Sequence, residues 1–147
     1  MTLYKDGRRV VARGITFIND KILLIERYRK EGNKLLHYFT IPGGGVEINE
    51  STSDAAIRET LEETTCNVEI IEYLGEEYYP KGICYWYYCQ YLNGIPTLSG
   101  EEKERNNPDN FYKVVLIDMK NIDKINILGK GKEYIKKCYI KYQNTNN

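Results

Sequence analysis

Between Pro42 and Cys66 the chain reads PGGGVEINESTSDAAIRETLEETTC, a glycine run leading into an acidic helix. No other stretch limits the fold as much. Pro42-Gly43-Gly44-Gly45 reads as a turn with unusual dihedral freedom just after a strand. Ser51 can cap a helix over Ser51–Thr64, and Asp54, three residues on, gives a capping-box-like start that favours the positive end of the helix dipole. Ile57 and Leu61, four apart, predict an apolar stripe, with Ala55 and Ala56 permitting close packing.

Strands are expected around that helix. Arg8–Ile18 is β-branched and apolar, Asn19-Asp20 supplies a turn, and Lys21–Arg29 returns. Leu35–Ile41, Val68–Tyr73, Ile83–Leu92 and Tyr112–Ile117 also read as strands. In the Ile83–Leu92 segment one face carries Tyr85, Tyr87 and Cys89 and the other Cys84, Trp86 and Tyr88, as in a central strand covered on both sides. A terminal helix is expected over Lys132–Tyr142, with Ile135, Cys138 and Tyr139 inward. The pattern is α/β, a layered domain over residues 1–142 with a frayed polar tail at 143–147. Ser99–Asn110 is a polar loop of a length uncommon without function or disorder.

Charge narrows the function. The 21 Lys+Arg balance 21 Asp+Glu, so no basic excess drives binding to nucleic acid, and no nucleic-acid partner is expected. Apolar runs are short, so no membrane partner is expected either, and the first ten residues do not read as a secretory signal. The 4 cysteines form no C-x-x-C pair. Cys84 and Cys89 face opposite sides of one strand and cannot bridge there. Scattered thiols suit a reducing cytoplasm.

Helical geometry turns roughly 100° per residue, which brings Glu59, Glu62 and Glu63 onto one face. Arg58 offsets only part of their repulsion. A solvated acidic face is the plain alternative, but a hard divalent ion with oxygen ligation, Mg²⁺ with Mn²⁺ as a substitute, is the natural occupant. The spacing sharpens this: Gly44, five residues, Glu50, seven residues, Arg58-Glu59, then Glu62-Glu63. It resembles the Nudix hydrolase box, G-x5-E-x7-R-E-U-x-E-E-x-G-U with U a bulky apolar residue. Thr60 departs from it at an apolar position. Thr65 replaces the glycine ending the helix, so either the helix ends differently or left-handed strain is tolerated.

The resemblance implies a Nudix-type α/β/α sandwich with a central mixed sheet. It also implies hydrolysis of a nucleoside diphosphate derivative by water attack at phosphorus. Glu59, Glu62 and Glu63 would hold metal, with the Gly43 carbonyl as a further ligand. Arg58 would orient Glu59, and Glu50 would support the helix–loop geometry. Glu59 is the favoured base or base-orienter; Glu101, Glu102 and Glu104 in the long loop are alternatives. Arg13, Arg27, Gly44 and Tyr85 are candidates to hold a small nucleotide substrate, and Arg29, Tyr79 and Tyr87 are weaker ones. His37 is expected to be structural. Other readings are a nucleotide sensor without turnover and an RNA 5′-end hydrolase. The family often forms homodimers.

Overall fold

Strand β2 (Arg8–Ile18) and strand β3 (Lys21–Glu31) form a hairpin in which Ile18 pairs with Lys21. Asn19 and Asp20 join them with φ of 50° and 66°. Two consecutive left-handed residues match the twist of the flanking strands, and Asn and Asp tolerate that region best after glycine. The computed structural model describes residues 1–97 and 106–145. The loop glutamates Glu101, Glu102 and Glu104 therefore lie outside the described residues.

The other strands are β1 (Tyr4–Lys5), β4 (Lys34–Thr40), β5 (Gly43–Gly45), β6 (Asn67–Tyr78), β7 (Gly82–Asn93) and β8 (Asn110–Asp118). The helices are α1 (Thr52–Thr64) and α2 (Gly131–Thr145), with a 3₁₀ segment at Met119–Lys124. The sheet runs β4-β3-β2-β7-β6, with β1 and β5 added to β2 and β8 added to β3. Strands β2 and β7 are parallel, while β2 pairs antiparallel with β3 and β5, so the sheet is mixed.

Alternation along β2 divides the core. Val10 and Ala12 pack with Ala55, Ala56, Val68, Tyr87 and Cys89 under α1. Ile15 and Phe17 pack with Ile22, Leu24, Trp86, Ile135 and Cys138 under α2. One helix covers each face, which is the α/β/α sandwich expected. Strand β7 is covered on both sides as its two apolar faces require. All four cysteines are buried and free. Among the described residues no helix is long and apolar enough to cross a membrane.

Three expectations need correction. The glycine run is strand β5, paired with Val11–Arg13 of β2, and none of Gly43, Gly44 or Gly45 has a positive φ. These glycines supply space, not dihedral freedom. Helix α2 continues to Thr145, so residues 143–145 are helical. On α1 the buried line is Ala56, Thr60 and Thr64 beside Ala55, while Leu61 is 41% exposed. Thr60 Oγ1 donates to the Ala56 carbonyl at 2.7 Å and Thr64 Oγ1 to that of Thr60 at 2.6 Å. Each hydroxyl is satisfied inside its own helix, so burial leaves no donor stranded.

Candidate active site

Helix α1 begins where Asp54 donates its N–H to Ser51 Oγ at 3.0 Å. It ends at Thr65, which takes a left-handed conformation (φ 61°, ψ 15°) and donates its N–H to the Leu61 carbonyl. The strain is therefore tolerated, with the Thr65 hydroxyl also bonded to the Thr64 and Ile95 carbonyls. Between these caps the helix lies along strand β5. Gly43 N–H donates to Glu63 Oε1 at 2.9 Å, and the Gly45 carbonyl accepts from Arg58 Nη2 at 3.0 Å. A Cβ on Gly44 would sit 2.6 Å from Glu59 Cδ. Only glycine lets the Glu59 carboxylate approach the strand this closely.

Arg58 organises the cluster. Its Nε and Nη2 hold both oxygens of Glu50, at 2.8 and 2.9 Å. Its Nη1 reaches Glu59 Oε1 at 2.9 Å and Glu62 Oε2 at 3.2 Å. One planar fork thus spans three carboxylates and a carbonyl of strand β5, which an ammonium cannot do. The Arg58 hydrogen bond, helped by the Glu47 N–H, holds the Glu50 carboxyl below its ordinary range against the opposing effect of burial. The Glu50 carboxylate, followed by that of Glu59, pushes the Arg58 guanidinium up against the opposing effect of burial.

The donor set suits a hard cation. Glu59, Glu62 and Glu63 carry carboxylates on the helix beside β5, and a Cβ at Gly44 would run into that of Glu59. Among the described residues no three His, Cys, Asp or Glu side chains form a ready-made cage. Magnesium needs none, because it takes one or two carboxylates and completes its shell with waters and substrate phosphates.

On the other face of the sheet, against the same stretch of β2, lies a cavity of about 550 Å³. Arg13 is drawn into it, with Nη1 on the Ile41 carbonyl at 2.7 Å. Phe39, Tyr79 and Trp86 supply aromatic walls. Behind them Glu77 accepts the Tyr79 hydroxyl at 2.6 Å and Trp86 Nε1 at 3.3 Å. Burial pushes the Cys84 thiol in this cavity up to about 12.

The remaining candidates lie elsewhere. Arg27 is held between Tyr38 and Tyr112, 4.3 Å above the Tyr112 ring, and donates to its hydroxyl. Arg29 bonds Glu31. Tyr85 is not among the residues lining the cavity; it sits beside Lys5 and tilts against Tyr73. The Tyr87 hydroxyl is bonded to Thr52. His37 stacks on Tyr28 and contacts Glu26, a packing role as expected. Sequence reasoning did not single out Phe39 and Trp86 as walls of this cavity. The signal for Trp86 was its place on the strand face opposite Tyr85.

Comparison with known proteins agrees with this geometry. The NUDIX domain model matches residues 8–132. No curated protein sequence is a significant match. An ADP-ribose pyrophosphatase from Streptococcus suis superposes with a TM-score of 0.60 at 20% identity, over 90% of this chain and 90% of that chain. A Nudix-family hydrolase from Clostridium perfringens gives 0.64 at 17%, over 90% and 96%. A MutT structure from work on Aliivibrio salmonicida and Vibrio cholerae gives 0.59 at 16%, over 89% and 96%. At such identities the superpositions speak for the fold alone, but the domain match spans most of the chain and contains the whole glycine–glutamate cluster. The chain belongs to the Nudix hydrolase family.

Proposed function

We propose that this protein is a Mg²⁺-dependent pyrophosphohydrolase that cleaves the diphosphate linkage of a nucleoside diphosphate derivative. A modified nucleoside triphosphate, a nucleotide sugar and an ADP-ribose-type molecule are the substrates in question. The observation that carries this reading is the alignment of Glu59 and Glu63 along β5, with Arg58 fixing Glu50 and Glu59. Similar folds belong to proteins described as an ADP-ribose pyrophosphatase, a MutT and a UDP-X diphosphatase.

Glu59, Glu62 and Glu63 would hold the metal. The Gly43 carbonyl leaves β5 on the same side as its N–H, towards the helix, and can add a ligand. Bound Mg²⁺ supplies positive charge that screens the diphosphate oxygens and polarises the phosphorus. Arg58, through its hydrogen bond to Oε1, holds the Glu59 carboxylate in one orientation. Glu59 takes the proton of the attacking water, or orients the group that does; Glu102 or Glu104 is the alternative base. Arg27 would serve as a phosphate contact, and the Arg13 cavity would take the nucleoside, with Tyr79 and Trp86 rather than Tyr85 or Tyr87 stacking its base. Four buried free thiols suit a cytoplasmic location.

The test is a panel of these nucleotides with Mg²⁺, with products identified and Glu59→Gln, Glu63→Gln, Glu102→Gln and Glu104→Gln run alongside. Glu59→Gln or Glu63→Gln should lower kcat by at least about 10². Unchanged turnover in both would remove the chemistry from this helix. A comparable loss in Glu102→Gln or Glu104→Gln, with metal binding intact, would assign the base to the loop.

A further inference from the structure

We propose that Arg13 makes the aromatic cavity selective for a base with a keto oxygen on its rim, of the hypoxanthine or guanine type, over one with an exocyclic amine at that place. This rests on the reading that the ligand is a nucleotide, and adds which nucleotide.

The cavity is walled by rings and aliphatic side chains, and its charged lining consists of Arg13 and Lys81. Both are donors without acceptor capacity. No carboxylate or side-chain amide lines it. Two of the other wall donors are already committed, since Trp86 Nε1 and the Tyr79 hydroxyl both donate to Glu77, which leaves the Thr40 hydroxyl and the Cys84 thiol as single donors. Trp86 and Tyr79 therefore present ring faces, which accept any base by stacking. Lys81 and Thr40 can each add a point contact, but among the lining residues Arg13 alone has the planar fork that grips two acceptors of a base edge at once.

Its guanidinium is not adrift. Nη1 is tied to the Ile41 carbonyl, and the side chain lies against the Cys84 thiol and the backbone of Gly43. A planar fork fixed in this way presents further N–H groups along one direction. A keto oxygen beside a ring nitrogen, as in the O6/N7 edge of a 6-keto purine, accepts two of them at once. Adenine places an amine where that oxygen would be. Donor then faces donor, and a desolvated N–H goes without a partner.

Trp86 is the one tryptophan of the chain and lines the cavity, so its fluorescence reports occupancy without turnover. Inosine and adenosine monophosphate are titrated without metal, into wild type and into Arg13→Met, which keeps an unbranched apolar stem. Wild type should bind the inosine nucleotide about 10-fold or more tighter, the range of one good bidentate base contact. In Arg13→Met the two affinities should converge, chiefly through weaker binding of the inosine nucleotide. If Arg13→Met does not fold, Arg13→Lys, which keeps the charge but loses the fork, should show a reduced preference. The proposal is overturned if wild type binds both nucleotides equally or prefers adenosine, if the variant keeps the inosine preference, or if neither nucleotide perturbs Trp86. Hydrolysis measured separately keeps the two readings apart. Turnover without a Trp86 response leaves the hydrolase and removes this base site; selective binding without turnover does the reverse.

Discussion

Arg58 connects more of the candidate site than any other single residue, since it touches Glu50, Glu59, Glu62 and the Gly45 carbonyl. Replacing it with lysine keeps the charge but removes the fork. We expect Arg58→Lys to lower kcat far more than it changes KM, because what is lost is the orientation of Glu59 and not a contact to substrate; steady-state kinetics on the best nucleotide of the panel decides this. Glu50 carries a second consequence. Its carboxyl is held below the ordinary range by Arg58. A depressed folded-state value adds stability above the unfolded carboxylate pKa of about 4.3, and that stability drains away as pH falls through the lower folded value. Thermal melts between pH 7 and pH 3 should show Glu50→Gln less stable at neutral pH yet losing less on acidification than wild type. Parallel curves for the two proteins would mean that the Arg58–Glu50 pair does not contribute to the acid limb.

At the scale of elements, the contact between β5 and α1 is the decisive one. Gly44→Ala puts a methyl group within 2.6 Å of the Glu59 carboxylate carbon, so the helix or the side chain must shift. A displacement near 1 Å in a positioned group costs about 10² in rate. We expect that loss in kcat with a modest drop in Tm, measured by kinetics and calorimetry on the same preparation. How legible these elements were depended on how local their causes are. The start of α1 could be read because its cap is a single residue, Ser51, whereas at the other end Thr65 left two outcomes open until the fold showed it in the left-handed region. The buried face of α1 could not be read: Ile57 and Leu61 look like the natural stripe, yet the fully buried residues are Ala55, Ala56, Thr60 and Thr64, with Ile57 only partly packed and Leu61 exposed. Gly14 of β2 shows how tight the packing on that face is, since a Cβ on it would stand 2.9 Å from Cys89 Sγ and 3.4 Å from Thr60 Oγ1. Strand β5 was hidden for another reason. Three glycines carry no strand preference, and only the partner β2 makes them one.

For the whole molecule, the metal question is one of linkage. A cation bound by the folded helix and not by the unfolded chain must raise stability. Saturating Mg²⁺ should lift Tm by an amount on the order of 5–10 °C at a hundredfold excess over Kd. Glu63→Gln should abolish most of that lift, and an equal response from wild type and variant would place the ion elsewhere. The spacing of charged residues from Gly44 to Glu63 was enough to find this cluster, because helical periodicity converts sequence distance into a shared face. The cavity was not visible in the same way. Its walls come from β2, β4, β7, the β6–β7 turn and the segment before α2, distant pieces that only the folded sheet assembles. Strand β2 serves both regions at once. Val11 and Arg13 turn to the cavity while Val10 and Ala12 turn to the acidic helix. The separation between them is one sheet, set by covalent backbone and not by any hinge. On the proposed reading the protein works as a gauge: what a substrate must match is the reach from its base, around the edge of β5, to the phosphorus that is cut. A nucleotide of the right chemistry but the wrong length would fill the cavity and remain whole.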